Sequence, residues 1–287
     1  MEIIDRFTHL RLGNVRYSIT GDASRDLIVL MHGLTTSKEV FDEMTEKLVN
    51  NNFQVLAFDF YGRGMSDCIQ PIVSETVYAE QSLELIEKFI PFQNQRNLHL
   101  IGYSAGGPIA AMTAISMEHK LNSLTLIASS GMPGEPSAPV LLDMLKLTHN
   151  NGEIDYNVKT NIEKMIFDEI ELIKSETMKS KILEIVNNPK FWNEDTFQTV
   201  RGHLMATGGY EGEKPINHIF ERIGELNIPT FILCGTKDSW VTPDTGKKIH
   251  ELICSSQIKE FEGISHWAFL EDPDTYSKNI LDFIAST

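Results

Sequence analysis

The sequence predicts an α/β chain built on one open, mostly parallel sheet, and three observations lead there. Short, nearly continuous apolar runs recur at Leu27 to Met31, Val55 to Phe58, Leu98 to Ile101, Leu124 to Ala128 and Thr230 to Cys234. Such runs suit strands buried on both faces. Helical spacing fills the intervals, as in Phe41, Met44, Leu48, in Val77, Leu83, Ile86, Ile90, and in Ile109, Met112, Ile115. The alternation lapses once, after Ala128, and returns at Ile228-Pro229.

Taken in order, the first twenty residues alternate around Ile3, Phe7, Leu10, Val15, Tyr17 and Ile19, with Gly13-Asn14 between two runs, and predict an antiparallel β-hairpin turning there. Six further strands follow, the last near Gln257 to Phe261, for eight in all. Helices are expected from about Pro243 to Ile253 and Thr275 to Ile284. From Met132 to about Glu225 the prolines at 133, 136 and 139 open a stretch of helical periodicity, as in Ile162, Met165, Ile166, Ile170 and Ile173, with no convincing strand. The expected organisation is therefore a core domain of residues 1–131 and 226–287, with a helical cap of 132–225 inserted after the sixth strand.

Composition narrows the function classes. The chain has 287 residues, enough for one large α/β domain carrying an insertion, and is 41% hydrophobic and 23% charged, which excludes disorder. Lys and Arg number 25 against 40 Asp and Glu, and a net charge of −15 repels phosphate backbones, so nucleic acid is not an expected partner. Cys68, Cys234 and Cys254 make no CxxC pair and no zinc-ligand spacing, which argues for a reducing compartment and against a metal site. The start lacks a basic n-region and apolar h-region, and no apolar run spans a bilayer. A cytoplasmic location is expected.

Gly102-Tyr103-Ser104-Ala105-Gly106 fits G-x-S-x-G, and it follows a strand and precedes a helix, the setting in which a nucleophile is presented on a sharp turn. Small residues at 102 and 106 are needed because strand and helix backbones approach closely there. A serine hydroxyl needs a base to remove its proton and a carboxylate to orient that base. Asp238, four residues past the strand 230–234, and His266, just beyond the strand ending at Phe261, stand at strand ends in the expected order. Two backbone amides should face the oxyanion, one from Ala105 at a helix N-terminus and one from Leu34 in the loop His32-Gly33-Leu34. His32 is expected to brace that loop, and Asp59 and Asp67 to tie together the loop they flank. Tyr103, His203, Trp240 and Trp267 are candidate substrate contacts, and the apolar cap residues serve mainly to pack onto the sheet.

His32-Gly33, Asp59-x-x-Gly62-x-Gly64-x-Ser66, Gly102-x-Ser104-x-Gly106, Gly235-x-x-Asp238 and His266 occur in the order and spacing of the α/β-hydrolase fold family, which the chain resembles from about residue 10 to 285 outside the cap. The resemblance implies a serine hydrolase with nucleophile Ser104, acid Asp238 and base His266, requiring no metal or organic cofactor. Ser104 argues against the branches of the family that carry aspartate at the elbow. The 59–67 loop is most similar to that of monoacylglycerol-lipase-like and related esterase members, whereas Ser265 stands where many members have glycine. A plain His32-Gly33-Leu34, in place of a glycine-rich oxyanion loop, suggests a preference away from tertiary-alcohol esters. The expected activity is cleavage of carboxylic esters with an apolar acyl group, on a small molecule such as a lipid-derived ester. A carbon–carbon bond hydrolase of the same fold, a haloperoxidase-like activity and a non-catalytic ligand receptor remain as alternatives.

Overall fold

A computed structural model describes residues 2–34, 36–69, 76–89, 96–117, 120–130, 160, 163–164, 167–171, 173, 175–187, 210–211, 214–215 and 218–287. The strands among them are β1 (Arg6–Leu10), β2 (Gly13–Thr20), β3 (Leu27–Met31), β4 (Gln54–Phe58), β5 (Leu98–Tyr103), β6 (Ser123–Ile127), β7 (Tyr210–Glu211), β8 (Lys214–Pro215), β9 (Thr230–Gly235) and β10 (Ser256–Phe261). The helices are α1 (Asp42–Asn50), α2 (Val77–Phe89), α3 (Gly106–Ser116), α4 (Glu176–Asn187), α5 (His218–Arg222), α6 (Pro243–Leu252) and α7 (Pro273–Ile284).

Eight strands form one sheet in the order β1-β2-β4-β3-β5-β6-β9-β10. β1 and β2 pair antiparallel, as do β2 and β4, and every later pairing is parallel. The period of two explains the buried runs. Leu27, Val29 and Met31 enter one apolar cluster with α2, α3 and α6, while Ile28 and Leu30 enter the other with α1 and α7. A strand covered by helices on both faces has no polar side to display, and each such side chain contributes roughly 1.5–3 kcal/mol by leaving water. The chain moves from β3 outward to β4, then back past β3 to β5. That reversal opens a crevice beyond the carboxyl ends of β3 and β5, the place where open α/β sheets bind ligands.

Two expectations are corrected. The hairpin turns at Arg11-Leu12, since Leu10 pairs with Gly13, and Gly13-Asn14 lie inside β2. Their purpose is packing: Asn14 N–H donates to Asp67 Oδ2 at 2.7 Å, and a Cβ on Gly13 would stand 3.0 Å from Asp67 Cβ. Within 132–225, expected to hold no strand, β7 and β8 pair as a two-stranded antiparallel ribbon. Two residues per strand are too few to carry an alternating pattern. Of the same segment, Ile170, Ile173, Met178 and Ile182 pack into the cluster shared with α1 and α7, and Lys181 reaches Asp42 at 2.8 Å.

Candidate active site

Ser104 sits between β5 and α3 with φ +53°, left-handed backbone that a non-glycine residue adopts at a cost of about 1–3 kcal/mol. The turn is held from several sides. Ser104 N–H donates to Ile127 O at 2.9 Å, and Ser104 O accepts from Gly107 N–H at 2.9 Å and from Ser130 N–H at 3.2 Å. The two glycines of the motif are steric necessities. A Cβ on Gly102 would fall 2.5 Å from Gly106 O, and one on Gly106 would fall 2.2 Å from Met31 O. The tight approach leaves the Ser104 side chain standing out at the crevice, followed at once by the N-terminus of α3.

His266 arrives from the loop after β10. Its Nε2 lies 3.0 Å from Ser104 Oγ, and its Nδ1 lies 2.9 Å from Asp238 Oδ2. The carboxylate comes from the loop after β9, where the amides of Trp240 and Val241 donate to Asp238 Oδ1 at 2.9 and 2.7 Å. Both loops are stitched together. Lys237 N–H donates to Ile264 O at 2.8 Å, Gly263 N–H donates to Thr236 Oγ1 at 2.8 Å, and Gly235 has no room for a Cβ, which would stand 2.3 Å from Ile264 O. With Asp238 fixing one ring nitrogen, the other is left as an acceptor for the Ser104 proton, since the tautomer follows from the partner of Nδ1. Ser265, whose amide donates to Glu271 Oε1 at 2.8 Å and whose hydroxyl also bonds that buried carboxylate, anchors the His266 loop from behind.

The loop after β3 closes the crevice opposite. A Cβ on Gly33 would come within 3.1 Å of Ser104 Cβ, so backbone rather than side chain lies against the serine. Leu34 and Ala105 are both buried, and among the described residues neither amide has a protein acceptor. His32 is wholly buried and bridges this loop to the next, with Nδ1 2.7 Å from Gly33 O and Nε2 accepting from Phe60 N–H at 3.1 Å. That pair of bonds is satisfied by the neutral ring, and burial pushes its pKa down to about 3. Asp59 ties the neighbouring turn, accepting from Arg16 Nε at 2.6 Å, Lys38 N–H at 2.9 Å and Met65 N–H at 3.0 Å.

The remaining candidates divide. Tyr103 is buried beside His266, its hydroxyl donating to His266 O at 3.1 Å and its ring 5.4 Å from the imidazole. Trp240 stacks on the imidazole at 5.9 Å between centroids. Trp267 is 2% exposed, and its indole Nε1 has no acceptor among the described residues. His203 and the apolar residues at 144–147, 165–166, 191–192, 197 and 204–205 lie outside the described residues. Glu169 is a residue that the sequence reading does not single out. It is buried beside the Asp238 loop and bonds the Ser239 hydroxyl. The signal was present: Glu169 interrupts the apolar stripe of Ile166, Ile170 and Ile173, so its carboxylate falls on the buried face of a helical segment.

Fold and site together define a hydrolase of the α/β-hydrolase fold. Residues 22–273 match the family described as Serine aminopeptidase, S33, and the chain belongs to that family. Among curated proteins it is similar to 2-hydroxy-6-oxononadienedioate/2-hydroxy-6-oxononatrienedioate hydrolase 1 of Pseudomonas putida, 24% identical over 274 residues that cover 94% of this chain and 92% of that one. Of solved structures, an esterase from Rhodococcus sp. superposes with a TM-score of 0.75 at 19% identity, covering 100% of this chain and 99% of that one. A meta-cleavage product hydrolase from Pseudomonas fluorescens gives 0.72 at 17% identity, over 96% and 95%. Among the described residues no helix is long and apolar enough to cross a membrane.

Proposed function

We propose that Ser104, His266 and Asp238 are a catalytic triad and that the chain hydrolyses a carbon–carbon bond beside the ketone of a 2-hydroxy-6-oxo-dienoic acid. The observation that carries the triad is the pair of contacts at 3.0 and 2.9 Å that link serine, imidazole and carboxylate in series. Similarity over nearly the whole chain to hydrolases named for such keto acids favours that substrate class over an ester. His266 takes the Ser104 proton as the oxygen adds to the 6-oxo carbonyl, and Asp238 stabilises the imidazolium that results. The amides of Leu34 and Ala105 receive the oxyanion, aided by the N-terminal end of α3. With the substrate in its 2-oxo tautomer, the carbon–carbon bond then breaks and its electron pair passes into the 2-oxo group as a dienolate, which takes the proton held by His266, and water, deprotonated in turn by His266, releases the acyl group from Ser104. We place Trp267, Trp240 and Tyr103 at the walls of this site and the segment 132–225 over it as a cap. The partner is a small molecule, and the setting is cytoplasmic.

A second reading, cleavage of esters with an apolar acyl group, is favoured by the esterases among the structural neighbours and needs the same first step. One experiment separates the two. A 2-hydroxy-6-oxo-dienoate, followed by loss of its conjugated absorbance, is run beside p-nitrophenyl esters from acetate to palmitate, on wild type and Ser104→Ala. Turnover of the keto acid at least about 100-fold above any ester supports the first reading, and the reverse ratio supports the second. Loss of the nucleophile should cost several orders of magnitude in either case. Wild-type rates in folded Ser104→Ala would remove the triad.

A further inference from the structure

Glu169 is contributed by the segment 132–225 and is only 7% exposed. Oε1 accepts from the Ser239 hydroxyl, while Oε2 is buried with no hydrogen-bond partner among the described residues. A buried carboxylate left half-satisfied is costly, so its retention calls for an account. Its surroundings supply one. Ser239 lies between Asp238, which holds the base, and Trp240, whose amide binds Asp238 and whose ring stacks on the base. The titratable groups that feel the Glu169 charge are His266, Asp238 and Tyr103.

We propose that Glu169 is a positioning residue of the active site: a second, remote carboxylate that acts through the Ser239 contact and its field on His266 to favour the imidazolium formed when Ser104 attacks. The inference rests on the triad reading above. Asp238 touches the ring and fixes its tautomer, a task that leaves no free ring nitrogen for Glu169. What Glu169 adds is negative charge in a place shielded from water, where a charge is felt strongly. Asp238 and Tyr103 offer it no compensating positive charge, so among these groups only the protonated imidazole gains from its ionisation. Burial raises the Glu169 pKa to about 6, and the His266 charge works against that rise. The coupling is reciprocal: whatever His266 does for Glu169, ionised Glu169 returns to the imidazolium.

The test uses the titration of His266 itself, read by NMR from its ring signals, together with the pH dependence of Ser104 labelling by a fluorophosphonate. Neither readout requires the natural substrate. Glu169→Gln keeps an acceptor for Ser239 and removes the charge, so the His266 midpoint should fall by about half a unit or more, and the acid limb of the labelling rate should move to lower pH with it. Ser239→Ala keeps the charge and removes the hydroxyl bond, one of the two Ser239 contacts that favour ionised Glu169. Its expected effect is therefore a later ionisation of Glu169, seen as a step moved to higher pH. A merely structural contact would leave both midpoints where they are in Glu169→Gln while lowering thermal stability, and that result overturns the proposal. Should Glu169→Gln fail to fold, an unmoved profile in Ser239→Ala overturns it instead. Wild-type protein whose Ser104 is not labelled at any pH, with a His266 midpoint that does move in Glu169→Gln, would remove the triad reading and leave the electrostatic coupling standing.

Discussion

Two aspartate–histidine neighbourhoods stand at the carboxyl ends of the sheet, and they do opposite things with the same groups. At the end of β4, Asp59 is saturated by the Arg16 guanidinium and two amides, and nearby His32 bonds only backbone. At the end of β9, Asp238 is held by two amides and spends its remaining oxygen on His266, which passes the contact on to Ser104. Arginine cannot release its proton in a protein, so the first cluster is a fixed strut. Imidazole gains and loses a proton near neutral pH, so the second can do chemistry. The role of a buried carboxylate is set by whether its partner can change charge.

The largest expected effect breaks this contrast directly. Asp238→Asn should lower kcat by roughly 10³–10⁴-fold through loss of the favoured tautomer, with thermal unfolding little changed. Asp59→Ala should do the reverse, costing ~1–3 kcal/mol in urea unfolding by leaving the buried Arg16 Nε and the amides of Lys38 and Met65 without an acceptor, although Glu39 and Asp5 still pair the rest of the guanidinium, while the folded fraction keeps kcat within about fivefold. If Asp59→Ala abolishes turnover in folded protein, the two clusters are not separable.

The glycines behind each cluster sharpen the comparison at the next level. Gly64, at φ +51°, would place a Cβ 2.1 Å from Asp59 Oδ2, so Gly64→Ala should lower the melting temperature with kcat preserved in what remains folded. Gly235→Ala should force the acid loop from the base loop and reduce kcat at least about 100-fold, since displacement of about an ångström is that costly. Parallel kinetics and calorimetry on the two variants decide it.

Acid stability separates the two histidines. His32 has its folded pKa depressed to about 3 by burial, whereas an unfolded histidine titrates near 6.5. Below about pH 6.5 the unfolded chain binds a proton that the folded chain refuses, so stability is complete above that pH and is lost as pH falls. The loss from His32 should reach ~2–3 kcal/mol by about pH 4.5. Urea midpoints across that range should fall less steeply in His32→Gln than in wild type, even though the variant starts out weaker. The smallest effect is expected at the exposed Lys164–Asp168 pair, 2.5 Å apart, where Lys164→Ala should change stability by less than ~0.5 kcal/mol.

Much of this was legible beforehand because its causes are local. The continuous run Leu27 to Met31 requires cover on both faces wherever the strand lies, and the glycines at 102 and 106 are demanded by a turn only five residues long. The hairpin was misplaced for an equally physical reason. Gly13-Asn14 has the chemistry of a turn, but its conformation serves Asp67, more than fifty residues away. Glu169 was passed over because a charge on an apolar stripe has meaning only once the surface facing it is known.

Residue order and spacing alone settled the strand–helix alternation, the elbow around Ser104 and the candidacy of Asp238 and His266, since short-range sterics and periodicity act along the chain. Only the folded sheet decided that Asp238 would meet an imidazole and Asp59 a guanidinium. It also decided that Gly235 would press on Ile264 and that a distant carboxylate would enter the neighbourhood of the base. Those outcomes depend on which strand ends lie side by side, and side-by-side placement is a property of the closed, close-packed whole.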